Sequence, residues 1–184
     1  LRSWKNSVIK KFNIGLKSMS ESRNISFISG EAKFISNSCI EINTDGTISR
    51  IDCTNIIIAT GSRSTALPKA PKSNLIWSSK DALELNSIPS KMLIIGGGYI
   101  GLELGSVYAA LGTEITVVEM LDDILPGADK DLVNPLSKKL SKRFSKILTG
   151  TRVEQINDLG NKLDVNFASS DGKYNEEFDA LLVS

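Results

Sequence analysis

The sequence predicts an α/β fold in which a doubly wound parallel sheet carries an antiparallel meander and follows a helix and several short antiparallel strands. Three observations predict it. Residues 92–119 read as apolar strand, glycine turn, apolar helix and apolar strand, which is a βαβ unit. Residues 153–178 read as three alternating strands separated by Asp and Gly turns. With 184 residues, 41% of them apolar, the chain can build the core of one domain together with part of another.

Each element has its own justification. Trp4, Val8, Ile9, Phe12, Leu16 and Met19 recur at helical spacing, with Lys5, Lys10, Lys11 and Lys17 off that face, so the chain opens on an amphipathic helix. The pattern then shortens to strand-like runs at 25–28, 32–35, 39–42, 48–51 and 56–59, with Asn37 and Asp45-Gly46 supplying turns. The last run, Ile56-Ile57-Ile58, does not alternate and calls for burial on both faces. If the domain it belongs to is broken, that run and the face of the first helix are expected to be left partly uncovered. Pro68 and Pro71, among small and basic residues, mark a connector between 62 and 73, which divides the chain into 1–71 and 72–184. Beyond it, 81–85 reads as a helical turn, 92–95 as a strand, 99–111 as a helix capped by Gly112, and 115–119 as a strand. Asp129 reads as the N-cap of a helix reaching about residue 144 with Pro135 inside it. The meander follows at 153–156, 163–167 and 174–178, turning at 158–160 and at Asp171-Gly172, before a buried strand enters at Ala180.

Composition excludes several classes of function. Lys and Arg number 22 against 21 Asp and Glu, and a net charge of +1 provides no footprint for nucleic acid or an anionic membrane. No apolar run approaches the roughly 20 residues that span a bilayer, so the cytosol is the expected compartment. Cys39 and Cys53, lacking the close spacing of a metal or redox motif, read as buried strand thiols. Histidine is absent, which removes the commonest general base and metal ligand. Chemistry is therefore expected to come from a cofactor or from residues outside the chain. The chain starts at Leu1 and stops at Ser184 within an apolar run, which leads us to expect a fragment of a longer protein.

The residues that carry chemistry centre on the βαβ unit. Gly96, Gly97, Gly98, Tyr99, Ile100 and Gly101 fit the pattern GxGxxG between an apolar strand and an Ala- and Leu-rich helix. In that context Gly96 permits the tight turn, Gly98 lets the backbone approach a diphosphate, and Gly101 lets helix pack on strand. The helix N-terminus then offers unpaired amides and partial positive charge to the anion. Glu119 ends the second strand about 20 residues on, where the fold places an acid on the adenosine ribose. A carboxylate there accepts from both ribose hydroxyls and repels a 2′-phosphate, which favours NAD over NADP. The alternative for Glu119 is a solvated acid at a strand end. Ile56-Ile57-Ile58-Ala59-Thr60-Gly61-Ser62 is, on physical grounds alone, a strand running into a small-residue turn where a backbone or a ligand comes close.

The strings IIIATGS, LP and LIIGGGYIGLELGSVYAALGTEITVVEMLDDILPGADKDL resemble those of the flavoprotein disulfide reductases, most nearly their dihydrolipoamide dehydrogenase branch. GEAKF at 30–34, SSKDALEL at 78–85 and FDALLVS at 178–184 match in the same order, so the resemblance spans essentially the whole chain. It implies a Rossmann-type NAD-binding domain preceded by part of a split FAD-binding domain. It further implies that Ala32, Thr60, Gly61 and Ser62 contact FAD, that Val153 contacts the adenine of NAD, and that Glu103 sits near the flavin and pairs with a lysine of a redox loop. Tyr99 stands where some relatives carry a tyrosine lid, whereas many of the dihydrolipoamide branch have an aliphatic residue. The implied activity of the parent is reoxidation of protein-bound dihydrolipoamide through a cysteine pair and FAD to NAD. Its implied partners are a second copy of itself and the lipoyl-bearing acyltransferase subunits of 2-oxoacid dehydrogenase complexes. The family's other FAD fingerprint, its cysteine pair and its histidine base would lie outside these residues, so the chain alone is expected to be inactive and its FAD site incomplete. Alternatives are a mercuric or glutathione type of disulfide reductase, or a dinucleotide-binding module without turnover.

Overall fold

The computed structural model describes residues 1–170 and 172–184; the expected turn residue Asp171 lies outside them. The chain forms two compact units, 1–62 and 63–184.

In the first unit the opening helix is α1 (Arg2–Ser22), and none of its residues is buried. Trp4 and Phe12 remain 68% and 69% exposed. Strands β1 (Glu31–Ser36), β2 (Cys39–Thr44) and β3 (Thr47–Asp52) form an antiparallel sheet in that order. Asp45 and Gly46 join β2 to β3 with φ of 49° and 89°, the paired positive values that a two-residue hairpin turn demands. The expected strands at 25–28 and 56–59 do not form. Apolar composition asks for burial, but a strand exists only where a neighbour accepts its hydrogen bonds, and among the described residues none pairs with either run. Ile57 and Ile58 are accordingly 90% and 69% exposed instead of buried on both faces. The cysteines are likewise half-buried, not buried, because a single sheet with no layer packed on it cannot enclose a side chain. Cys39 pairs with Asp52 across the sheet, and a hydrogen bond to that carboxylate, with some burial, holds the thiol above its ordinary range.

The second unit has three layers. Its parallel sheet, ordered β4-β11-β5-β6-β7, is built from β4 (Ile76–Ser78), β5 (Lys91–Ile95), β6 (Glu114–Val118), β7 (Lys146–Leu148) and β11 (Ala180–Val183). On one face lie α2 (Ser79–Glu84), α3 (Tyr99–Ala110) and α4 (Lys130–Leu140). Met92, Ile94, Ile115, Val117 and Leu182 of the strands pack there with Leu102, Leu104, Tyr108, Val133 and Leu140. On the other face lies the antiparallel meander of β8 (Arg152–Asp158), β9 (Leu163–Ser169) and β10 (Gly172–Phe178). Leu93, Val118 and Leu181 meet Leu163, Val165, Phe167 and Phe178 there. Strands covered on both sides show apolar residues without alternation. This explains why β5 and β6 were legible as runs. The three-residue β4 and β7 were not foreseen, since neither is long enough to display a period.

Two helix details depart from expectation. Asp129 is the N-cap of α4, but its side chain makes no capping bond. The helix stops at Leu140 and not near 144, because the chain must turn so that Phe144 enters the core and Ser145 N–H reaches Ile115 O, 2.8 Å, to start β7. Among the described residues no helix is long and apolar enough to cross a membrane.

Candidate dinucleotide-binding site

The glycine turn lies where the sheet changes direction. From β5 the chain moves one way to β6 and β7, while β11 lies on the opposite side, so the strand order switches direction beside the turn at residues 96–98. Open α/β sheets take ligands in such a crevice.

The turn is built from within. Gly96 has φ of 112°, a value that disfavours any side chain, and its N–H donates to Val118 O, 2.9 Å. A Cβ there would collide with Ser184. Gly97 O accepts from Leu125 N, 2.9 Å, and Gly97 N–H donates to Glu119 Oε2, 2.7 Å. Glu119 Oε1 accepts from Leu121 N, 2.9 Å. The acid named from spacing alone is therefore brought to the turn itself, half-buried and held by two backbone donors. Gly98 is the N-cap of α3, and a Cβ added there has nothing within 4 Å. No side chain caps this helix, so its first-turn N–H groups have neither an intrahelical partner nor a side-chain one. Gly101 packs so closely that a Cβ would lie 2.6 Å from Gly96 O and 2.9 Å from Ile94 Cγ2. These features fit an anionic diphosphate on the helix terminus, with a ribose beside Glu119.

The remaining predicted residues are less concentrated. Tyr99 is 67% exposed, and Glu103 is exposed one turn further along α3. Ile100 is half-buried and packs toward the helical core. Val153 is the second residue of β8 and packs half-buried against the apolar cluster that the meander shares with the parallel sheet. The segment leading to it is tied to the site, because Thr151 N–H donates to Glu119 O, 3.0 Å. Ala32, Thr60, Gly61 and Ser62 belong to the other unit and are exposed. Gly61 has φ of 69° with open space beside it, which suits a backbone approached by a ligand but forms no helix-end cradle.

Sequence reasoning missed Ser184. Its N–H donates to Ile95 O, 3.0 Å, and its one hydroxyl proton is shared between Ile95 O, 3.1 Å, and Gly96 O, 3.3 Å. The strand-like run at its position was visible, but its place beside β5 was not. Gly97 was included without a role of its own, and a Cβ there would lie 3.1 Å from both Glu119 Cβ and Ile124 Cγ2.

Residues 2–184 match the family described as pyridine nucleotide-disulphide oxidoreductase. The chain is 39% identical over 189 residues to a dihydrolipoyl dehydrogenase of Vibrio parahaemolyticus, covering 100% of this chain and 39% of that protein. It is 33% identical over 189 residues to one of Haloferax volcanii, covering 100% of this chain and 40% of that protein. It thus spans about two-fifths of the length of the curated relatives it matches. Among solved structures, the HOCl-induced flavoprotein disulfide reductase RclA of Escherichia coli superposes with a TM-score of 0.84 at 29% identity, over 100% of this chain and 41% of that one. LpdA of Mycobacterium tuberculosis, at 22% identity and a TM-score of 0.87 over 100% of this chain and 41% of its own, shares the fold.

Proposed function

Because the chain belongs to the pyridine nucleotide-disulphide oxidoreductase family, we propose that its residues are the NAD-binding portion, with part of the FAD-binding portion, of a dihydrolipoyl dehydrogenase. The observation that carries the reading is the turn at 96–98, open on the ligand side at Gly98 and braced from behind by Glu119. In this reading residues 96–101 hold the diphosphate of NAD on backbone N–H groups, and Glu119 accepts from the adenosine ribose with its remaining lone pairs. Val153 borders the adenine. Ala32, Thr60, Gly61 and Ser62 contact FAD, and Glu103 stands on the flavin side of α3. When bound, FAD and NAD carry the redox chemistry, and the chain supplies binding, orientation and electrostatics. NAD is favoured over NADP because Met120, Leu121, Asp122 and Asp123 follow Glu119, and the next cation, Lys130, is already paired with Asp123 at 2.8 Å. The proposed partners are lipoyl-bearing acyltransferase subunits of 2-oxoacid dehydrogenase complexes and a second copy of the parent. The proposed location is the cytoplasm.

The test is calorimetric titration of the chain with NAD and NADP, before and after Glu119→Ala. Losing hydrogen bonds to a charged acceptor costs about 1.5–3 kcal/mol, roughly one to two decades of affinity. Weaker NAD binding with a narrowed preference over NADP is expected, and unchanged NAD affinity in the variant removes Glu119 from the site. A turnover assay with dihydrolipoamide, FAD and NAD is expected to give no NADH from residues 1–184 alone, since Cys39 in β2 and Cys53 just after β3 lack the close spacing of a redox pair. Stoichiometric retention of flavin together with NADH production would overturn that expectation.

A further inference from the structure

The peptide between Gly96 and Gly97 is held at both ends. Its N–H, on Gly97, donates to Glu119 Oε2 at 2.7 Å, and its carbonyl, on Gly96, accepts from Ser184 Oγ at 3.3 Å. A peptide is planar, so fixing the direction of its C=O fixes the direction of its N–H. The position is one where the backbone needs fixing: Gly96 has φ of 112°, and glycine has no side chain to limit rotation about either neighbouring bond. Ser184 is itself well placed, because its N–H continues the parallel ladder onto Ile95 O and its hydroxyl also reaches that carbonyl at 3.1 Å. It is also the right size. Gly96 and Gly101 both present their bare Cα faces to it, with ideal Cβ positions 3.0 Å and 2.5 Å from Ser184 Oγ.

We infer that Ser184 is a positioning residue for the dinucleotide site, acting through the Gly96–Gly97 peptide and coupled by it to Glu119. The inference rests on the NAD reading above. The serine hydroxyl orients the plane, the plane aims its N–H at Glu119 Oε2, and the carboxylate is thereby turned so that its remaining lone pairs point toward a ribose. The strand that completes the sheet beside the turn thus contributes to the specificity of the site without touching the ligand.

The test is a double-mutant cycle on NAD affinity, measured by calorimetry on the chain with Ser184→Ala, Glu119→Ala and the double variant, alongside thermal unfolding of each. Removing a neutral hydrogen bond that holds the turn is expected to weaken NAD binding about three- to tenfold in S184A. In the E119A background the same change is expected to have less than half that effect on a logarithmic scale, because the acceptor for Gly97 N–H is gone and the coupling through the peptide is already broken. A serine that only packs would give effects that add fully, and additive effects overturn the inference, as does unchanged affinity in S184A. Ser184→Thr keeps the donor and is expected to retain affinity closer to that of the parent than S184A. Loss in S184T equal to that in S184A also counts against the inference, and this comparison stands if the double variant fails to fold. If the unmodified chain binds no NAD, the functional reading itself fails. If it binds NAD and S184A binds equally, only the role of Ser184 fails.

Discussion

Gly98 and Gly101 are three residues apart and differ in what a side chain would meet. At Gly98 the backbone has φ of −74° and a new Cβ would touch nothing, so Gly98→Val is expected to fold with its melting temperature nearly unchanged. Its side chain would occupy the path of the diphosphate, and NAD affinity is expected to fall by at least about tenfold, one factor of RT ln 10. Gly101→Val, by contrast, forces contacts with Gly96 O and Ile94 and is expected to destabilise the unit by about 1–3 kcal/mol or more. Circular dichroism melts beside NAD titrations distinguish the two, and normal NAD binding by folded Gly98→Val would remove the turn from the site. The contrast also shows what residue types reveal. Gly96, Gly98, Gly101 and Glu119 could be named from the chain because fixed spacing between a strand and a helix determines where they fall. Ser184 could not, since its role depends on a neighbour 88 residues away.

Elements in the second unit are joined by side chains that periodicity does not display. Glu176 of β10 accepts from Lys146 of β7 at 2.8 Å and pairs with Lys91 of β5 at 2.8 Å, tying the meander to the parallel sheet. Burial alone pushes its carboxyl upward in pKa, and the two ammonium groups outweigh that and hold it below the usual carboxylate range. A depressed carboxylate pKa contributes stability that is present above the unfolded value and is lost as pH falls through the folded one. Glu176→Gln is therefore expected to cost about 1–2 kcal/mol at pH 7, a modest figure because Lys146 is 44% exposed. The difference should shrink below about pH 4, where glutamate protonates. Urea unfolding at both pH values checks this, and a difference independent of pH would show that packing and not charge is involved. Tyr108 makes a similar tie, its buried hydroxyl donating to Ala82 O at 2.7 Å so that α2 is fastened to α3. The helix and strand periods were readable because each element buries one stripe or both faces. These ties were not, because a lysine or tyrosine carries no mark of the partner it will reach.

At the scale of the molecule the two units differ in how much they bury. No residue of 1–62 is buried, whereas the second unit encloses two apolar clusters on either side of its sheet. Amide protection follows buried, cooperatively held hydrogen bonds. Hydrogen exchange is expected to be slow in β5, β6, β9 and β11 and fast throughout α1 and β1 to β3. Mass spectrometry of exchanged peptides would contradict this if β2 and β3 were as protected as β5 and β6. The fold class and the meander were legible because the second unit satisfies its own pattern. The strands expected at 25–28 and 56–59 failed because an apolar run specifies a need for cover without specifying what provides it.

The interposed place of β11 bears on how the second unit is made. β11 pairs with β5 on one side and β4 on the other, so these two earlier strands share no hydrogen bonds and each keeps an unpaired edge until β11 arrives. Lys91 and Asp179, which meet at the entrance to that pairing, are 88 residues apart. At ribosomal rates of about 5–20 residues per second, that interval lasts roughly 4–18 s. Through that time the apolar edge of β5 is open to other chains, and the Ile95 and Gly96 carbonyls lack the serine that later holds them. Nascent chains stalled before residue 180 are thus the species in which chaperone occupancy and aggregation should be greatest, and the dinucleotide turn is among the last features of the unit to be completed.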